Sequence, residues 1–472
     1  MNFIPHVLTA FSLLGSIHAQ HDSEASTSAN QPNIIIILTD DQGYSDTGCY
    51  GCKDFKTPHI DALAASGVKF TNGYVSHPYC SPSRAGLLTG RYQQSFGHEH
   101  NPPHYDENDL KIGTDLSIPL LPTYFTAKGY RTAAFGKWHI GEGKPFRPVE
   151  RGFDHFWGFL GGGHDYFKVN PKGKNYNSPI WIDKAPTDTK LTYVTDDLTN
   201  AALKFIDKEK KKPFLIYLSY NAPHAPDQAK AEDLKRNASI KHNGRRKYAA
   251  MMTCVDDNVG KLMKKLDDLK IRENTLVFYL SDNGGRRKLA DSRPFRGNKG
   301  WLYEGGIRVP FILSYPGKIK PNTVSDQPII SLDILPTSLA AAGIKTTNTL
   351  HGENILPLIT KSNPDRTLHW RTSGGTGYAL RSGKWKVVRD VYHTDPELYD
   401  LSTDKEETNN LAKSHAAKLK ELLASHQKWN ATLENPRWYE GHTEGARKEW
   451  QTSKSNNYRV YGGAWYLKKE KK

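Results

Sequence analysis

Asn33-Ile-Ile-Ile-Ile-Leu-Thr39 is a run of strand length with no polar residue between its ends. Alternating polarity would mark a strand with one wet face. A continuous apolar run instead predicts a strand covered on both faces, as in a parallel sheet. Further β-rich runs follow at 131–135, 214–220, 276–281 and 309–314, and the stretches 60–66, 121–128, 195–209, 248–269 and 333–342 read as helices. Strand and helix in alternation predict an α/β fold, a central sheet with helices on both sides. Sites in such sheets gather beyond the carboxyl ends of the strands. The polar residues that directly follow each run are therefore the first candidates for chemistry.

Asp40 and Asp41 end the first run. Adjacent carboxylates repel unless a cation offsets them, which points to a hard metal with oxygen ligands, although helix capping also uses such a pair. Asp282-Asn283-Gly284-Gly285 follows the run at 276–281, and its glycines let the backbone approach a ligand closely. Two such ends meeting across the sheet supply four oxygen donors to one calcium. Lys137 and His139 follow a third run and alternate along an extended segment, so both face one site only if the backbone bends. His224 follows a fourth run, on a turn made rigid by Pro223 and Pro226. Either histidine alone is more often a surface or core residue than a catalyst. Lys299 lies in a glycine-rich loop suited to cradling an anion.

The 472 residues carry 65 Lys and Arg against 50 Asp and Glu, a net charge of +15 and a pI near 9.3. That surplus favours polyanions; nucleic acid, anionic membrane and sulfated polysaccharide all satisfy it. Residues 3–19 are mainly apolar, too short to span a bilayer, and end at Ala19-Gln20, which predicts a signal peptide over 1–19 and an exported, periplasmic or secreted protein, although the n-region has no Lys or Arg. Residues 20–31 read as a flexible lead-in. Four cysteines exclude a disulfide scaffold. Cys49 and Cys52 have no second pair to complete a zinc site, and read as a local disulfide or two idle thiols; Cys254 reads as core. After a main domain over 32–365, the character changes. A hairpin turning at Ser382-Gly383, a strand at 396–401 and an amphipathic helix over 406–430 predict a smaller antiparallel sheet plus helix subdomain over 366–472. Its tail from Glu434, rich in Trp, Tyr, Lys and Arg, either lines a carbohydrate site or wraps the surface.

Cys80-Ser-Pro-Ser-Arg84-Ala-Gly-Leu-Leu-Thr-Gly-Arg91 carries the most chemical information. Pro82 pre-sets a helical turn, so the Cys80 thiol stands at a helix N-terminus near Arg84. That potential suits an anion and lowers a thiol's pKa, which reads as a reactive cysteine. The order C-S-P-S-R followed by L-T-G resembles the signature of type I sulfatases, in which the cysteine is oxidised to formylglycine. Thr57-Pro-His-Ile-Asp61, the segment from Gly129 to His139, Asp282-Asn-Gly-Gly285, Tyr303-Glu-Gly-Gly-Ile-Arg-Val-Pro310 and Glu397-Leu-Tyr-Asp-Leu401 look like blocks of the same family. The resemblance covers residues 32–412.

It implies an alkaline-phosphatase-like central mixed sheet. It implies that Asp40, Asp41, Asp282 and Asn283 hold one Ca²⁺ together with modified Cys80, and that Arg84, Lys137 and Lys299 bind sulfate oxygens. One hydroxyl of the formylglycine hydrate, deprotonated through Asp282, would attack sulfur. His224 would protonate the departing sugar oxygen, and His139 would deprotonate the second hydroxyl so that sulfate leaves. A formylglycine-generating enzyme is the implied maturation partner; neither nucleic acid nor a membrane span is expected. By the same resemblance residues 158–167 lie near the pocket mouth. There His164 and Asp165 could grip sugar hydroxyls and Tyr166 or Trp157 could stack on the ring, though a glycine-rich surface loop reads equally well. Arg286, Arg287, Lys288 and Arg293 could receive further sulfates of a polymer, or be solvated loop charges. With the net charge, they favour a sulfated polysaccharide: carrageenan-like galactans first, then ulvan or glycosaminoglycans. The rival readings are a phosphoesterase of the same superfamily and a polysaccharide-binding protein that is never matured.

Overall fold

The computed structural model describes Met1, residues 31–103, 112–173, 176–360, 365–390 and 395–438, and the backbone of 458–461 and 464–467. The expected signal peptide, nearly all of the lead-in and most of the tail lie outside the described residues.

Ten strands form the main sheet: β1 (Asn33–Thr39), β2 (Val68–Phe70), β4 (Arg131–Lys137), β5 (His155–Phe159), β6 (Ile180–Ile182), β7 (Ala185–Thr187), β8 (Phe214–Ser219), β9 (Thr275–Ser281), β10 (Phe311–Ser314) and β11 (Thr323–Ser325), in the order β11-β2-β10-β9-β1-β8-β4-β5-β6-β7. Two short strands, β3 (Gly73–Tyr74) and β12 (Ile329–Ile330), pair separately. The central strands β9, β1, β8, β4 and β5 run parallel, while β10 and β6 join antiparallel, so the sheet is mixed.

The isoleucines of β1 show why the run is continuous. Ile34 and Ile36 enter one core with Leu87 and Leu88 of α2 (Cys80–Thr89), Leu121 and Phe125 of α3 (Leu121–Thr126) and Leu335 of α8 (Ile334–Ala341). Ile35 and Ile37 enter the opposite core with Leu63 of α1 (Pro58–Ala65), Leu198 of α4 (Val194–Glu209) and Met252 of α6 (Asn243–Asp268). Each such side chain, fully buried, contributes about 1.5–3 kcal/mol. An acid in place of Ile36 would leave an unpaired charge between two layers.

The C-terminal sheet is antiparallel, β13 (Thr367–Thr372), β14 (Gly377–Ser382), β15 (Trp385–Arg389) and β16 (Glu397–Asp400) in sequence order. Trp370 and Val388 pack into the main core, whereas Leu380, Val387 and Leu398 meet Leu422 of α9 (Ala416–Asn430). Two details differ from the sequence reading. Ser382 pairs with Trp385, so the hairpin turns at Gly383-Lys384, with Gly383 at φ 57°. The helix expected over 406–430 starts only at Ala416, because the Asp404 carboxylate takes the backbone N–H groups of Thr408 and Asn409 and holds a turn there. Cys49 and Cys52 stand as separate thiols and Cys254 is buried in α6. No helix among the described residues is long and apolar enough to cross a membrane.

Candidate active site

Strand register brings the catalytic candidates to one rim. Thr39 lies opposite Ser281, and both Leu38 and Gly136 lie opposite Ser219. Asp40-Asp41, Asp282-Asn283, Lys137 and Asn221-Ala-Pro-His224 therefore leave the sheet at one level. The Lys137–His139 segment does bend, with Gly136 at φ 103° and His139 at φ 65°. Asp41 is also left-handed at φ 66°, a conformation that costs a non-glycine residue about 1 kcal/mol or more and is kept where the surroundings impose it.

Cys80 is the first residue of α2, and every residue of that helix is buried. Its Sγ lies 3.1 Å from Lys299 Nζ and 3.7 Å from Asp40 Oδ1. Lys137 Nζ donates to Asp40 Oδ2 at 2.5 Å, and Lys299 Nζ reaches Asp41 Oδ1 at 2.6 Å. Arg84 Nε and Nη2 both donate to Asp282 Oδ2, at 2.9 and 2.7 Å. Its Nη1 donates to Ser219 Oγ and to the Lys137 carbonyl, so the guanidinium is held on every side. Three cations thus face three carboxylates around one sulfur atom.

The electrostatics follow from burial against pairing. Burial pushes the Cys80 thiol up to about 12, outweighing Lys137 and Lys299. This corrects the expectation of a thiol activated at a helix N-terminus: a fully desolvated sulfur stays protonated despite its cations. Burial also works against the Asp41 carboxylate, yet Lys299 and His224 hold it well below its ordinary range. Burial, then Lys137, keeps His139 neutral, and burial followed by Lys299 takes His224 down to about 3. His224 Nδ1 lies 2.8 Å from the Ala225 carbonyl, which can only accept; Nδ1 therefore carries a proton and Nε2 is the atom turned to Asp41 Oδ2, at 3.8 Å.

Asp40, Asp41, Cys80 and His224 each offer a ligand atom within 4.8 Å of the others. Asp282 Oδ1 accepts the Asp41 N–H, and Asn283 Nδ2 donates to Asp41 Oδ1. That leaves Asn283 Oδ1 buried without a partner among the described residues. A buried, orphaned amide oxygen on a residue whose amide nitrogen is bonded to Asp41 fits a hard cation with oxygen ligands.

Residues 32–344 match the family model for sulfatases, and residues 296–431 match that for the C-terminal part of N-sulphoglucosamine sulphohydrolase. The chain belongs to the sulfatase family. It is a sulfuric ester hydrolase with the alkaline-phosphatase-like fold. N-acetylgalactosamine-6-sulfatase of Mus musculus is 32% identical over 405 residues, 80% of this chain and 76% of that protein. An ulvan-active sulfatase of Formosa agariphila is 33% identical over 384 residues, 76% of this chain and 71% of that protein. The solved structure of Ps i-CgsB in complex with k-i-k-neocarrahexaose is 36% identical with a TM-score of 0.84, covering 90% of this chain and 98% of that one.

Around the centre of this sulfatase, the residues expected to grip a sugar are placed differently. His164 is fully buried, and its two ring nitrogens lie against the Asp165 and Ser178 carbonyls. Asp165 accepts from Gln228 and from the Phe167 and Lys168 N–H groups. Tyr166 is buried, stacked on Tyr193, with its hydroxyl on the His224 carbonyl. Trp157 is half-buried against the core. Tyr166, through its bond to the His224 carbonyl, and His164, whose carbonyl accepts from Asn221, brace the His224 turn. Arg293 is paired with Asp291 and Arg286 with Asp227. Tyr176 escaped the sequence reading. It is 41% exposed, sits edge-on to the His224 ring at 5.8 Å, and the first charges acting on its half-buried phenol are Lys137 and Lys299. Its only signal was a lone aromatic in a polar loop.

Proposed function

We propose that this sulfatase is exported and removes sulfate from a sulfated carbohydrate, carrageenan-type galactans first, using residue 80 as formylglycine and one bound calcium. The observation that supports it is the Cys80 side chain set among Lys299, Lys137 and Arg84 with oxygen donors at Asp40, Asp41, Asp282 and Asn283. Hydrated formylglycine supplies one hydroxyl to attack sulfur and a second to release it, and calcium supplies Lewis acidity.

The chain's own residues do the rest. Lys137, Lys299 and Arg84 offer fixed positive charge to the nonbridging oxygens, and preorganised charge is usually the larger share of such catalysis. Burial holds His139 neutral, and its buried Nδ1 has no partner among the described residues, so the ring can accept a proton. His224 Nε2 is the atom able to hand a proton to the departing sugar oxygen. The substrate-free ring is neutral, and the negative charge of an arriving sulfate ester favours its protonation. Tyr176 offers an aromatic face at the mouth, suited to a sugar ring. Support for a carbohydrate comes from the +15 charge and the carbohydrate complex of the similar structure.

Two measurements test this reading. The peptide containing Cys80 should be about 18 Da lighter than its thiol form. Sulfate release from neocarrageenan oligosaccharides should exceed phosphate release from an aryl phosphate. An unmodified thiol in active protein, or faster phosphate turnover, would overturn it.

A further inference from the structure

Beside the catalytic centre lies a cavity of about 390 Å³ that the reaction does not use. Its wall is the segment between Asn283 and Lys299, so the cavity is tied at both ends to the site. Arg286 N–H donates to the Asp41 carbonyl, and Lys299 N–H to the Gly285 carbonyl. Five cations line it: Arg245, Arg286, Arg287, Lys288 and Arg293, against the carboxylates of Asp54 and Asp291. Three of the five are engaged, Arg245 by Asp46 and Asp54, Arg286 by Asp227, and Arg293 by Asp291. Arg287 and Lys288 are exposed, and no carboxylate among the described residues lies within ion-pair distance of either. The backbone between the engaged cations turns through φ 70° at Lys288, a left-handed conformation that lysine adopts only at some cost.

A solvated lysine and arginine on a flat surface would carry little meaning. Here they cap a concavity whose other cations are fixed by their partners, and its volume falls within the roughly 300–1,000 Å³ of small-ligand sites. Arg245 and Arg286 are spent on Asp46, Asp54 and Asp227, so the charges left for an incoming anion are those of Arg287 and Lys288, and a guanidinium can meet a tetrahedral oxyanion with directed N–H groups.

We propose that this cavity is a second anion subsite that takes a sulfate ester on a neighbouring sugar of the same chain while Cys80 faces the sulfate to be removed. The proposal rests on the carbohydrate reading above and deepens it: the preferred substrate carries more than one sulfate. The subsite binds and does no chemistry, so its contribution appears in KM and leaves kcat alone.

The test uses matured full-length enzyme, neocarrahexaoses bearing one or two sulfates per disaccharide, and a small aryl sulfate. The double variant Arg287→Ala/Lys288→Ala should raise KM for the doubly sulfated oligosaccharide about five- to tenfold, the range that two solvent-exposed charge contacts supply. Its kcat, its KM for the aryl sulfate and its thermal midpoint should stay unchanged. The wild-type KM should also climb more steeply with salt than that of the variant. An unaltered KM for the doubly sulfated oligosaccharide would overturn the subsite and leave the carbohydrate reading standing. No sulfate release from any oligosaccharide, with the aryl sulfate still hydrolysed, would instead remove the reading beneath it. If the variant loses affinity for a short DNA duplex and not for the oligosaccharide, the cavity is a general anion patch and the proposal fails.

Discussion

Lys299 Nζ stands 3.1 Å from Cys80 Sγ, although 219 residues separate them along the chain. The same ammonium reaches Asp41 at 2.6 Å, so one lysine spans the reactive residue and an oxygen donor. Replacing it with methionine keeps the stem and deletes the charge. Lys299→Met should lower kcat about 10²- to 10³-fold, the effect of removing one preorganised charge contact, while the protein stays folded. Steady-state kinetics on an aryl sulfate, with a melting curve alongside, check this; a loss below threefold would show that the lysine is not needed in the transition state.

His224 is the residue placed to protonate the departing oxygen, and that help matters only for a poor leaving group. His224→Ala should slow removal of sulfate from a sugar by about 10²- to 10⁴-fold, yet affect an activated nitrophenyl sulfate far less. Equal losses on both substrates would assign the histidine to binding.

Asn283 Oδ1 is buried with no partner among the described residues, a place that a cation would satisfy. Calcium at about 100 times its Kd should stabilise the folded protein by about 2.7 kcal/mol, seen as a rise in the thermal midpoint that a chelator reverses. Asn283→Leu should abolish most of that rise. Persistence of the full shift in the variant would place the metal elsewhere.

Lys386 is entirely buried between Glu304 at 2.9 Å and Glu407 at 2.8 Å, joining the C-terminal sheet to the short helix Glu304–Ile307. Burial drives Glu407 up to about 7 even with that lysine present. Lys386→Met leaves two carboxylates facing each other and should cost about 3–5 kcal/mol, measured by urea unfolding. Adding Glu407→Gln should recover part of it.

His369 and His426 lie 6.0 Å apart between the C-terminal sheet and α9, His369 stacked on Trp429 at 4.8 Å and His426 on Tyr378 at 4.5 Å. Burial lowers them from 6.5 to about 3 and about 4. Below pH 6.5 the unfolded chain takes up protons that the folded one refuses, so stability falls as pH drops through that window. Each histidine should withdraw on the order of 2 kcal/mol by pH 4.5. The double variant His369→Phe/His426→Phe should flatten the decline, followed by chemical unfolding at pH 7 and 4.5; an unchanged slope would place the acid sensitivity in other groups.

Local chemistry made much of this protein readable in one dimension. The unbroken apolar run at β1 announces a strand buried on both faces. The carboxylates and histidines that follow such runs stand where parallel strands expose their ends, and the block around Cys80 carries the family signature. These are properties of neighbouring residues. Distance and burial are not, and they decided the rest. Register between β1, β9, β8 and β4 brought residues 40, 137, 224 and 282 to one rim with residues 80 and 299. Desolvation, invisible in sequence, overrode the helix N-terminus at Cys80. It also turned His164 and Tyr166 into braces, because a buried polar atom must take the partner that packing puts within reach.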